Sequence, residues 1–348
     1  MIEVNGKYHY SGAIHMHTTE SDGTVTLEEL AAIGQQSGLD YMMVTDHMNM
    51  NNRDNGKEGW YGDTLVVIGY EHNDTADIHH YLIFDSPGVY PREMTPVEYV
   101  ASAAQDGALG IIAHPDEIRD VMPNYPPYPW KDWHATGFDG IEIWNQMSEW
   151  MERLTPTNKV IMAFSPRKSM VSPTDRVRKK WDELSAVQKC VGITAVDAHA
   201  FPIRLGPFTV RIFPYKVHFK SLRTVVIFDE PLSKDFKTAA KKLYSALRNC
   251  RCYGANLRWG DTTGFDFWAE NKNARAGMGE SIALASQTVF RAQLPQSARV
   301  VIVKDGSTVF EKSGRSIEFP ITEPGVYRLE AWRGKRGWIF TNHIRVTR

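Results

Sequence analysis

Residues 26–47 read TLEELAAIGQQSGLDYMMVTDH, and this stretch decides the fold class. Thr26 is suited to cap a helix, Glu28 and Glu29 favour the positive end of its dipole, and Gly38 supplies a stop, which predicts a helix over 26–38. The β-rich apolar run Leu39–Thr45 follows at once and delivers Asp46 and His47 at its C-terminal end. Working outward, comparable runs recur at Leu65–Gly69, Tyr81–Phe84, Gly110–Ala113, Gly140–Trp144, Gly192–Val196 and Thr224–Phe228, with further helices expected near Pro96–Asp106 and Lys234–Asn249. Strands alternating with helices predict an α/β fold built from βα units around a parallel sheet or barrel. In such barrels the loops after the strands carry the chemistry.

The pattern changes towards the C-terminus. From about Phe265 the helical signal fades, and short alternating segments follow: Ser281–Leu284, Thr288–Ala292, Arg299–Val303, Ser316–Phe319, Gly325–Trp332 and Gly337–Ile344. Lys304-Asp305-Gly306 reads as a hairpin turn. The expected organisation is a βα-rich region over 1–262 and a small all-β sandwich over 263–348. Between the two strand-rich ends, PNYPPYP at 123–129 predicts a stiff irregular loop. No internal repeat or low-complexity linker is evident.

Composition excludes several classes. Of the 348 residues, 42% are hydrophobic, yet no apolar run approaches the roughly 18–20 residues of a membrane span. The opening MIEVNGKYHYSG lacks an apolar signal core, so a cytoplasmic protein is expected. Three cysteines, Cys190, Cys250 and Cys252, are too few and too uneven for a disulfide framework, which also suits a reducing compartment. A net charge of −1 gives no drive towards nucleic acid or anionic lipid. The acidic excess falls in the first 260 residues, as befits a portion that binds cations.

Potential ligands gather at the strand ends. In Ile14-His15-Met16-His17 the alternation of a strand puts both imidazoles on one face, and Ser21-Asp22-Gly23 follows. Then come Asp46-His47, Glu71 after Leu65–Gly69, His80 before Tyr81–Phe84, His114-Pro115 after Gly110–Ala113, and Asp197-Ala198-His199 after Gly192–Val196. Nine nitrogen and oxygen ligands without a thiolate favour zinc, manganese or iron, and nine suffice for two or three divalent ions that keep positions open for water and substrate.

The motifs HMHTTESDG, TDH, GYE, HHYL, AHP and DAH, in this order over about residues 8–260, resemble those of the polymerase and histidinol-phosphatase (PHP) superfamily. The resemblance implies a distorted (β/α)7 barrel and a trinuclear metal site that uses a metal-bound hydroxide on a phosphoester. Carried over position by position, it implies that His15, His17, Glu71 and Asp197 hold one ion, that Glu71 bridges to a second held by His80 and His114, and that Asp22, His47 and His199 hold the third. It takes His80 rather than His79 as ligand, because a short apolar strand follows. Asp197 or His199 would relay a proton. IEIWN, FKSLRT, FDFWAEN and the ending PGVYRLEAW…GWIFTNHIRV are similar to a carbaryl-hydrolase-like branch, which implies a carbamate, ester or amide hydrolase as the alternative activity. A metal-binding protein without catalysis is the third reading.

Arg53, Asp116, Glu117, Arg119, Asn145 and Arg204 follow the motifs and are candidate contacts for a small, anionic substrate, since arginine suits phosphate or carboxylate. His72, beside Glu71, is expected near the substrate, behind the ligands or at the surface. His9, His134, His218 and His343 match no motif and are expected to be structural or surface residues. Trp332 and Trp338 are expected to pack in the core of the sandwich or against the barrel rather than to form a sugar platform.

Overall fold

The computed structural model describes residues 1–119, 126–205 and 208–348, with the backbone alone at 203–205 and 208–210. The side chain of Arg204 and residues Pro123–Tyr125 of the proline-rich stretch therefore lie outside the described residues. The chain is a mixed α/β fold. Strands Lys7–Ile14, Tyr41–His47 and Thr64–Asn73 pair in parallel, as do Leu109–Ile112, Gly140–Asn145 and Val191–Ala195. Several are buried along their whole length, which is why they read as continuous apolar runs rather than alternating ones.

His80–Phe84 joins the two parallel sets, antiparallel to both neighbours. This departs from a uniform βα pattern. Thr64–Asn73 runs longer than expected and turns back through Asp74–His79 without a helix. Because the returning strand starts where the parallel strands finish, its first residue, His80, lies at their C-terminal ends. At that same end the last strand meets the first: Val196 N–H donates to the Ile14 carbonyl at 3.0 Å, and His17 N–H to the Ala198 carbonyl at 3.1 Å.

Helix Leu27–Gln36 has Thr26 as N-cap, its hydroxyl accepting from Glu29 N–H while the Glu29 carboxylate accepts from Thr26 N–H. Gly38 takes φ +70 just past the helix end, a conformation that favours glycine. Thr95 caps Pro96–Gln105 in the same reciprocal way, and Asp235 caps Phe236–Arg248.

Leu222–Phe228 is antiparallel to Lys7–Ile14, where a parallel βα strand was expected. Cys252–Asn256 pairs beside it, and Arg336–Thr341 pairs beside that, so hydrogen bonding continues from the N-terminal sheet into the C-terminal strands. The two runs expected at 288–292 and 299–303 are one strand, Val289–Lys304, with a register irregularity between Gln293 and Ala298. Its first half pairs with Asp266–Glu270 and its second with Gly325–Arg333, while Ser307–Pro320 follows it throughout. Asp305 and Gly306 both have positive φ, the geometry of a tight hairpin turn. Phe267, Phe290, Val300, Leu329 and Trp338 share one apolar cluster among these strands, whereas Trp332 and Phe340 pack against Trp144-side core residues. Among the described residues no helix is long and apolar enough to cross a membrane.

Candidate metal centre

The ends of the strands bring all nine expected ligands together. His47 and Glu71 stand opposite each other in the register of two parallel strands. His15, His114 and Asp197, where three strands end, have φ values of 70, 26 and 50°, which non-glycine residues seldom adopt. That local strain turns the chain sharply as each strand finishes, and such strain concentrates at functional sites.

Glu71 occupies the middle. Its Oε1 lies 2.8 Å from His80 Nδ1 and 3.2 Å from His114 Nε2, while Oε2 lies 3.0 Å from His15 Nε2 and 3.4 Å from both His17 Nε2 and His47 Nδ1. Asp197 Oδ1 is 3.5 Å from His15, 3.6 Å from His17 and 3.4 Å from His199. Asp22 faces His199 Nε2 at 3.2 Å, His17 at 3.7 Å and His47 at 3.8 Å. The His17 ring lies near-parallel to those of His47 and His199, with centroids 4.5 and 4.1 Å away, and those two are 6.2 Å from each other.

These separations suit shared cations. Donors about 2.1 Å from a tetrahedral ion lie about 3.4 Å apart. Both ring nitrogens of His17, Nδ1 of His47 and Nε2 of His80 are buried without a hydrogen-bond partner among the described residues. Among the described residues four groups of three or four side chains converge closely enough to hold an ion: His17, Asp22, His47 and His199; His15, His17 and Glu71; His15, His114 and Asp197; and Glu71, His80 and His114. The charges agree. Burial pushes the Glu71 and Asp197 carboxyls up, but the imidazoles around them, His15 foremost, outweigh it and hold both well below the usual carboxylate range. Burial opposes protonation of His15 and His80, yet the carboxylates prevail, raising His15 well above its ordinary value and His80 to about 9. At His47 burial wins and lowers the imidazole to about 4. Metal binding would therefore displace protons from His15 and His80 at neutral pH.

Glu142, within the apolar run GIEIWN, was not singled out from the sequence. It is buried, with Oε1 2.6 Å from His15 Nδ1, and Oε2 accepting from His114 N–H at 2.8 Å and Asn145 Nδ2 at 2.8 Å. A carboxylate at one ring nitrogen fixes the tautomer that leaves the other free for metal. An acid flanked by isoleucines in an otherwise apolar strand was the available signal. Asn145 directs its amide to Glu142 and, at 3.3 Å, to Asp197, while its carbonyl oxygen accepts from Ser148 N–H and caps the next helix. Its contacts are with the protein, behind the ligands.

The other candidates separate clearly. His79 pairs with Asp74 at 2.7 Å, away from the cluster. His72 is fully buried against Tyr99, so the surface role considered for it is excluded. His9, His218 and His343 are buried and His134 is exposed. Arg53 donates to the Ser86 carbonyl at 2.7 Å, and Asp116 accepts from Arg176 at 2.8 Å; neither lines the cavity over the cluster. That cavity measures about 380 Å³, and among the described residues the arginines that line it are Arg119 and Arg92. Glu117 binds Arg119. Arg92 carried no sequence motif.

No family model matches the chain, and no curated protein does. Among solved structures it is similar to a two-domain protein of Bacteroides vulgatus described as containing a predicted PHP-like metal-dependent phosphoesterase, at 13% identity, with a TM-score of 0.47, over 99% of this chain and 97% of that one. It is also similar to a protein of Bifidobacterium adolescentis named provisionally as a metal-dependent phosphoesterase, at 14% identity and a TM-score of 0.35, over 57% of this chain and 91% of that one. At such identities the function is read from the cluster itself.

Proposed function

We propose that the chain is a metal-dependent phosphoesterase acting on a small phosphomonoester or phosphodiester, with a trinuclear centre of zinc, manganese or iron. One observation carries this reading: the two oxygens of Glu71 face different sets of imidazoles, as a carboxylate bridging two cations must. We propose with it a distorted (β/α)7 barrel over 1–262 and a β-sandwich over 263–348. The first proposal is supported by the hydrogen bonds from the last parallel strand back to the first, the second by the shared apolar cluster of the C-terminal strands.

Glu71 would bridge one ion, held with His15, His17 and Asp197, to another held with His80 and His114; Asp22, His47 and His199 would hold the third. When bound, such ions activate water at neutral pH and neutralise charge growing on phosphate oxygens. The chain's own part is to hold this geometry and move protons. Glu142 and Asn145 orient His15, His114 and Asp197 from behind. His199 Nε2 faces Asp22 Oδ2 at 3.2 Å, on the side of the third ion, so the proton this ring can exchange is the one on Nδ1, 3.4 Å from Asp197 Oδ1. Asp197 and His199 are thus assigned proton transfer, and Arg119 contact with an anionic substrate.

Turnover of p-nitrophenyl phosphate, bis-p-nitrophenyl phosphate and a naphthyl carbamate, with added Mn²⁺ or Zn²⁺, tests the proposal. Hydrolysis of either phosphoester is expected. Hydrolysis of the carbamate alone would replace this reading with the carbamate, ester or amide hydrolase.

A further inference from the structure

The cavity over the cluster has a second chemical character farther out. Tyr128, Met147, Met151 and Phe201 contribute apolar surface to it, and Arg119 lies among them. The Arg119 side chain is only 7% exposed. Its Nη2 donates to both oxygens of Glu117, but Nη1 meets only the Met151 sulfur at 3.2 Å, and Nε has no partner among the described residues. A guanidinium carries five donors in a rigid plane, and folded proteins seldom bury them without oxygen acceptors. Glu117 is itself fixed by the Ser148 hydroxyl and by Tyr128 N–H at 2.8 Å, so the arginine is held in place rather than free to swing to solvent.

Its distance from the metal ligands matters as much. The Tyr128 ring stacks on His80, with centroids 4.7 Å apart, and the guanidinium lies 5.3 Å from that same ring. Arg119 therefore addresses a group beyond the one held at the cluster. Arg92 is a weaker candidate, since it sits at the rim, is 45% exposed, and is tied to the Asn73 and Asp74 carbonyls and to Asp77.

We propose that the substrate carries, besides its phosphoester, a second anionic group, a carboxylate or a phosphate, which Arg119 binds while the body of the molecule lies against Met147, Met151 and Phe201. This rests on the phosphoesterase reading. The test is calorimetric binding to the Mn²⁺-loaded protein of phenylphosphonate, 4-carboxyphenylphosphonate, its neutral carboxamide and phenylene bisphosphonate. A charge-assisted pair predicts that at least one doubly anionic ligand binds about tenfold or more tightly than both phenylphosphonate and the amide. Whether the carboxylate or the bisphosphonate gains more distinguishes the two sources of charge. In Arg119→Met the ratio should fall to about one, and in Arg119→Lys part of it should survive. Equal binding of all four ligands by the wild-type protein overturns the proposal, even where a variant does not fold, and so does an undiminished ratio in Arg119→Met. Turnover of the matching aryl phosphates is measured in parallel. A preserved binding ratio without any hydrolysis would uphold the anion site and overturn the phosphoesterase reading.

Discussion

Glu71 and Glu142 are both buried acids near His15, and they differ in what their oxygens meet. Glu71 faces five imidazoles, with partners divided between its two oxygens; Glu142 faces one imidazole, one backbone N–H and one amide. Replacing the first should therefore cost ions, and replacing the second should cost affinity. Elemental analysis of Glu71→Ala is expected to lose two metal equivalents and that of Asp22→Ala one; equal losses would mean that Glu71 serves a single ion. For Glu142→Gln, chelator competition should show metal binding weakened by about 10- to 100-fold, the usual consequence of removing the carboxylate behind a histidine ligand. Unchanged affinity would leave Glu142 a space-filling role. At this scale the sequence was informative where polar residues end apolar runs, which is how Asp46-His47 and Asp197-Ala198-His199 stood out. It took Asn145 for a substrate contact, because an amide after a strand reads equally as such a contact and as a group turned back towards Asp197.

Elements were legible to the extent that their signals are local. Thr26 and Thr95 cap helices because hydroxyl and glutamate lie three residues apart, a spacing visible in the chain. The direction of a strand leaves no such mark, so the reversal of His80–Phe84 and of Leu222–Phe228 could not be read from composition. The packing of helix Asp175–Val187 on strand Val191–Ala195 is a third case. Trp181 is fully buried, and a Cβ on Gly192 would lie 2.4 Å from its ring. Glycine is needed here for close approach, not for its backbone freedom. Gly192→Ala should force the indole or the strand to move, destabilising the protein by about 1–3 kcal/mol in urea unfolding. A cost near zero would mean that the helix can lift from the sheet without loss.

The same helix ties the C-terminal strands to the part that carries the candidate metal centre, through contacts that span some 150 residues of sequence and so had no local signature. Arg328 donates to Asp182 at 2.6 and 2.8 Å and to Glu330 at 2.6 Å, His343 Nε2 lies 2.9 Å from Asp182, and Arg178 reaches Glu330 at 2.6 Å. Asp182 and Arg328 are 5% and 2% exposed, so without Arg328 the Asp182 carboxylate would be left as a costly buried charge with only His343 beside it. Removing one partner, as in Arg328→Met, should destabilise the protein by about 3–5 kcal/mol. The double variant Asp182→Leu/Arg328→Met should cost clearly less than the sum of the single changes, because no charge is then stranded. The pH dependence follows from the same pair. Burial pushes the Asp182 carboxyl up, but Arg328 and His343 outweigh it and lower its pKa to about 2, against about 3.9 in an unfolded chain. Its contribution is therefore complete above about pH 4 and is lost as the pH falls through 2. Thermal unfolding followed from pH 5 to pH 2 should show a steeper loss of Tm in the wild-type protein than in Asp182→Asn, which has no such carboxylate to protonate. Parallel curves, together with strictly additive single and double variants, would mean that the C-terminal strands are held by the pairing of Cys252–Asn256 with Arg336–Thr341 and by apolar packing, with the buried ion pair adding nothing to their attachment.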